Sequence, residues 1–125
     1  MPSNFTFLRT PFPQLFDHAA QAERLIFTAP RASCFYARFA LEQLVHWLYA
    51  HDPYLQLPQD TNLAALIHEP TFKDNRKPGL FDKIRIIHKV GNTAVHDANL
   101  ITNSDALRLT EELFHITYWL TRFYS

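Results

Sequence analysis

Two glycines, Gly79 and Gly91, and one cysteine, Cys34, are all that this chain contains of either residue. A loop that cradles phosphate on its backbone N–H groups needs several closely spaced glycines, because only a residue without Cβ lets the backbone come so near. Two isolated glycines exclude such loops. A lone cysteine forms no internal disulfide, so a reducing compartment is expected. There is no HExxH motif and no Cys/His cluster. Of the seven histidines (His18, His46, His51, His68, His88, His96 and His115), only pairs such as His88 and His96, two turns apart, share a helix face. Neither a metal site nor a cofactor is expected. Residues Met1 to Thr10 lack the apolar core of a signal peptide. No apolar run approaches the ~20 residues that span a bilayer. A cytoplasmic, soluble protein with no membrane partner is the expectation.

Neither sign of charge is in excess, with 12 Lys and Arg against 12 Asp and Glu. No global field therefore advertises a polyanion partner. The distribution is uneven, however. Lys73, Arg76, Lys77, Lys83, Arg85 and Lys89 crowd one stretch against only Asp74 and Asp82. The 125 residues are the usual size of one domain, and 47% apolar content supplies a packed core.

Proline punctuates the sequence, and the segments between prolines have helical periodicity. Leu15, Ala19, Ala22 and Ile26 predict a helix over about 13–28. Pro30 suits the first turn of a second helix running to about Ala50, with Cys34, Ala37, Leu41, Leu44 and Leu48 as its stripe. Thr61 or Asn62 caps a short helix holding Leu63, Leu66 and Ile67. Pro70 to Pro78 is predicted as a polar, basic loop. A further helix runs from near Pro78 to about His96. Asn103 or Ser104 caps the last, which carries Ala106, Leu109, Leu113, Ile116, Leu120 and Phe123 on one face. Strand alternation is sustained nowhere. The expected fold is all-α: one domain over residues 1–125, an up-and-down bundle of four long helices and one short one.

The 78–96 segment is the informative one. On a helical wheel of ~100° per residue, Ile84, Ile87, Gly91, Ala94 and Val95 form the side predicted to be buried. Gly91 there admits a close neighbour. Arg85, Lys89, Asn92 and His96 fall in a separate stripe, spaced 4, 3 and 4. Two cations, an amide and an imidazole in line can face phosphate, and an imidazole is a side chain suited to general-base chemistry. Any amphipathic helix also shows a polar stripe, and Asn92 and His96 have an equally simple use in capping or loop contacts. Arg38 and Glu42 either pair at i, i+4, or Arg38 reaches the Asn92–His96 stripe. Cys34 lies on an apolar stripe and is expected to be a buried, inert thiol. His88 is expected to pack near the core edge or to meet water. Phe35, Tyr36, Phe39, Trp47, Tyr49, Phe114, Tyr118, Trp119, Phe123 and Tyr124 lie on two helices that also carry aliphatic stripes and exceed what one core needs, which points to a dimer or interdomain face or else to a thick aromatic core. Stacking of nucleobases on them would need flanking basic residues.

The run Lys89-Val90-Gly91-Asn92-Thr93-Ala94-Val95-His96 resembles the signature helix of a HEPN-like domain of unknown function. That domain is found at the N-terminus of prokaryotic type I restriction enzyme R subunits and related DEAD/DEAH helicases. Cys34 to Glu42, Leu66 to Phe72 and Glu112 to Leu120 resemble further blocks of the family, in order, along nearly the whole chain from Met1. The resemblance implies a non-catalytic accessory module that contacts nucleic acid or a sister subunit, with homodimerisation common. Its surface would comprise Arg85, Lys89, Asn92 and His96 with Lys73, Arg76, Lys77 and Lys83. Nuclease and ATPase motors would lie downstream of Ser125. The resemblance also raises a metal-independent ribonuclease with His96 as base, beside Asn92 and Lys89. In such enzymes an Arg precedes the His. Gly91 stands in that place here, and Lys89 replaces its charge but not its forked geometry. A purely structural homodimerisation bundle is the third possibility.

Overall fold

Proline opens several of the helices, at Pro13, Pro30, Pro70 and Pro78, because its fixed φ suits a first turn and its missing N–H is not needed there. The structure is a computed structural model that describes residues 2–74, 78–96 and 100–124. Helix α1 spans Pro13–Arg24, α2 Pro30–His51, α3 Leu63–His68, α4 Pro70–Lys73, α5 Pro78–His96 and α6 Asn103–Tyr124. A 3-10 turn, Thr6–Leu8, precedes them. No strand occurs among the described residues. The result is an all-α helical bundle. Around it α1 packs on α2, α2 on α5, α5 on α6, and α6 also touches α1 and α2. No helix of the described residues is long and apolar enough to cross a membrane.

Several boundaries differ from the expectation. The first helix ends at Arg24, not near residue 28. Ala29, which precedes Pro30, is outside the helical region (φ −150°, ψ 72°), as a residue before proline tends to be. Ile26 is nonetheless buried, in the connection that follows. The stretch predicted as a loop from Pro70 begins with α4. Glu69 caps it by accepting from the Thr71 N–H, and Phe72 is fully buried, its ring parallel to that of Tyr49 at 5.9 Å. The bundle therefore has two short helices and a 3-10 turn in place of one short helix. Asn62, not Thr61, caps α3, accepting from the Ala65 N–H at 2.8 Å. Neither Asn103 nor Ser104 caps α6. Thr102 does, in a reciprocal box: its hydroxyl accepts from the Asp105 N–H and the Asp105 carboxylate accepts from its own N–H.

The core runs the length of the bundle. Cys34, Ala37, Leu41, Leu44 and Leu48 of α2 meet Ile84 and Ile87 of α5 and Leu109, Leu113 and Ile116 of α6. Two residues assigned to buried faces lie outside it, Val95 at 41% and Phe123 at 59% exposed. Both sit in the last turn of their helices. A wheel angle says which way a side chain leaves the axis, not whether a neighbour reaches that turn. The 3-10 turn adds Phe5 and Leu8 to the core, and Phe5 and Phe7 pack edge-on against Phe114 of α6. The aromatic residues thus divide. Phe5, Phe12, Phe72 and Phe81 are buried, whereas Phe35, Phe39, Tyr118 and Phe123 keep substantial exposure.

Candidate functional site

At Gly91, α5 comes close against Arg38 of α2. A Cβ at that position would lie 2.7 Å from Cβ of Arg38, 3.0 Å from its Cδ and 3.1 Å from its Cγ. Its φ is not positive, so glycine is needed for space and not for conformation. The missing side chain lets the Arg38 stem lie flat along α5. Its Nε then donates to Asn92 Oδ1 at 2.8 Å, and its Nη1 stands 3.7 Å from Glu42 Oε2. Arg38 therefore both pairs along its own helix and reaches α5.

The bond from Arg38 fixes which end of the Asn92 amide points where. Oδ1 accepts from Arg38, so Nδ2 is the group 3.2 Å from His88 Nε2. An amide NH2 only donates. His88 Nε2 must then offer a lone pair, which puts the ring proton on Nδ1 in the neutral form. Burial holds the His88 pKa below its ordinary value, aided by the positive charge of Arg38 and by His68. Glu42, Arg38, Asn92 and His88 form one polar chain across the α2–α5 junction.

The predicted stripe divides along this chain. Arg85, Lys89 and His96 are exposed, while Asn92 is half-buried against α2. Among the described residues neither Arg85 nor Lys89 forms an ion pair. Lys83 does not join them. It leaves α5 ~160° from Arg85, and its Nζ donates to Glu112 Oε2 at 3.2 Å and to His115 Nδ1 at 3.1 Å, both on α6. Lys73 is exposed and lies 5.3 Å over the Phe81 ring. Arg76 and Lys77 fall outside the described residues.

Residues 20–124 match the family model described as a domain of unknown function, DUF4145. The chain belongs to this family. No curated protein and no solved structure matches it. The matched part of this DUF4145 domain holds α2, α5, α6 and every member of the Glu42–Arg38–Asn92–His88 chain. It starts inside α1, so the 3-10 turn with buried Phe5 and Leu8 lies ahead of it.

Beside this polar chain stand an arginine that the sequence does not single out and two rings that it marks as surplus without placing them. Arg31 of α2 donates Nη1 to the Ala94 carbonyl at 2.7 Å, which satisfies the end of α5 and places a cation at its negative pole. Phe35 and Phe39 stand together on the exposed side of α2, both to one side of Arg38. The signal for the rings was present: they stand off the Cys34-Ala37-Leu41 stripe, on the same side as Arg38. Cys34 itself is fully buried. Its thiol is pushed up to about 11 by burial and then by Asp105, with Arg31 acting the other way. It is protonated at neutral pH and is no nucleophile. Among the described residues no three His, Cys, Asp or Glu side chains stand together as a metal site would require.

Proposed function

We propose that this domain is a HEPN-like, non-catalytic accessory module of a prokaryotic restriction-type protein or helicase, and that it contacts nucleic acid through the outer face of α5. The observation that carries the reading is the pair Arg85 and Lys89. Both are exposed and one turn apart, with no ion pair among the described residues. Cations left unneutralised on a rigid helix suit phosphate contacts. Their exposure beside His96 gives a continuous polar strip, and the Arg38–Asn92 bond holds the strip's middle against α2.

The same geometry weighs against the ribonuclease alternative. Asn92, the polar neighbour that would assist His96, has both ends of its amide committed to Arg38 and His88. Gly91 has no side chain, and the space above it is filled by the Arg38 stem. The exposed rings of α6, Tyr118 and Phe123, fit a sister-subunit or self-association contact in the same module. A buried, protonated thiol and the lack of any second cysteine suit a cytoplasmic setting.

The test is replacement of Arg85 and Lys89 together by alanine, followed by binding to labelled oligonucleotides. The reading expects weaker binding at every sequence tried, with helicity unchanged. Cleavage that resists chelators and disappears with His96→Ala would replace it by the ribonuclease reading.

A further inference from the structure

The rings that the core does not use share a strip of α2 with Arg38. Phe35 and Phe39 are one turn apart with centroids separated by 6.1 Å, and they are 41% and 38% exposed. Phe39 packs on His18 of α1 at 4.6 Å, and Phe35 meets Tyr36 edge-on at 5.6 Å. Their orientation is thereby restrained while each keeps more than a third of its surface exposed. Arg38 leaves the same helix ~60–100° back towards α5, where Asn92 holds it. Beyond Asn92 stand Arg85, Lys89 and His96. Crossing the surface from α1 to α5, one meets two rings, a guanidinium and then two cations that form no ion pair among the described residues.

A partner for this face must offer flat apolar surface to the rings and negative charge to the cations at once. A duplex offers the charge, but its bases are stacked on each other and only their edges are free. A second copy in two-fold contact would set the cationic strip near its own image. An unpaired strand meets both demands, because each base has a free face and each nucleotide a phosphate. We propose that this face binds single-stranded nucleic acid, with bases stacked on Phe35 and Phe39 and phosphates against Arg85 and Lys89. The proposal rests on the nucleic-acid reading above and narrows it to unpaired strands.

The test follows fluorescence anisotropy of the full 125-residue chain with three labelled probes: oligothymidylate, oligouridylate, and a thymidylate–adenylate duplex of the same length. The wild type is compared with Phe35→Leu/Phe39→Leu, which keeps apolar bulk but removes the π faces, and with Arg85→Ala/Lys89→Ala. At least one single strand should bind about tenfold more tightly than the duplex, and the tighter of the two names DNA or RNA. The leucine pair should weaken single-strand binding about tenfold and leave its salt dependence unchanged. If the pair does not fold, Phe35→Leu alone, at the more exposed ring, should show a smaller loss of the same kind. Equal binding of strand and duplex, with the leucine pair silent, overturns the proposal and leaves the nucleic-acid reading standing. No binding to any probe removes both. A leucine pair that changes the sedimentation of the protein but not its affinity for oligothymidylate makes the rings a self-association surface, and also overturns the proposal.

Discussion

Arg38 donates its Nε–H to Asn92 Oδ1 across 2.8 Å, tying α2 to α5 beside the one residue of α5, Gly91, whose missing side chain makes room for the arginine stem. The two facts are one relationship. A larger residue at 91 would lift Arg38 away from Asn92.

Gly91→Ala should therefore destabilise the fold, although alanine is the better helix former. The propensity gain is about 1 kcal/mol. Overpacking costs about 1–3 kcal/mol, and the contact at 2.7 Å involves Arg38 Cβ, close to the α2 backbone and unable to swing aside. A net loss in urea unfolding is expected. Arg38→Ala removes the Cγ and Cδ contacts, so the double variant should lose less than the sum of the single changes. A Gly91→Ala protein more stable than wild type would show that the helices have slack at this point.

The His88 contact gives stability a pH dependence of defined sign. In the unfolded chain this imidazole takes up its proton near pH 6.5. In the fold it does so only at lower pH, because of burial, Arg38 and His68. Between those two values the unfolded state binds more protons, so stability rises with pH. The contribution is complete above about pH 6.5 and is lost as the pH falls towards the folded value. His88→Gln should flatten that part of a stability–pH curve, since glutamine can still accept from Asn92 without titrating. Parallel curves for variant and wild type would contradict the assignment.

Much of this arrangement could be read from the residues, and the failures have physical causes. The apolar stripes of α2 and α6 are periodic and the prolines that start α1, α2 and α5 are local signals, so these helices and most of the core followed from them. The 3-10 turn and α4 are too short to show a period, and each joins the core through one or two residues such as Leu8 and Phe72. The exposure of Arg85, Lys89 and His96 followed from their wheel angle. What each polar group bonds to did not. Arg38 and Asn92 are 54 residues apart, and Lys83 finds Glu112 29 residues away. Nothing local selects either partner. The Arg38–Glu42 spacing was visible, but it leaves open whether the guanidinium also reaches a second helix.

Cys34 should be silent to thiol reagents in the native protein. With its thiol pushed up to about 11 and its side chain fully buried, both the thiolate and the access that reaction needs are lacking. Labelling by a chromogenic disulfide near pH 8 should appear only with unfolding, at the same denaturant concentration as the loss of helical circular dichroism. Stoichiometric labelling of the folded chain would place the thiol nearer the surface than the bundle packing allows.

The central claim is that the outer face of α5 meets nucleic acid through Arg85 and Lys89, and the salt dependence of binding tests it most directly. Log affinity for a labelled oligothymidylate is plotted against log salt concentration for wild type and for Arg85→Ala/Lys89→Ala. Each phosphate contact on a single strand contributes about 0.7 to the slope. Losing two contacts should flatten the line by about 1.4 and weaken binding at low salt, with the circular dichroism unchanged. Superimposable lines for the two proteins, or no measurable binding by the wild type, would contradict the account.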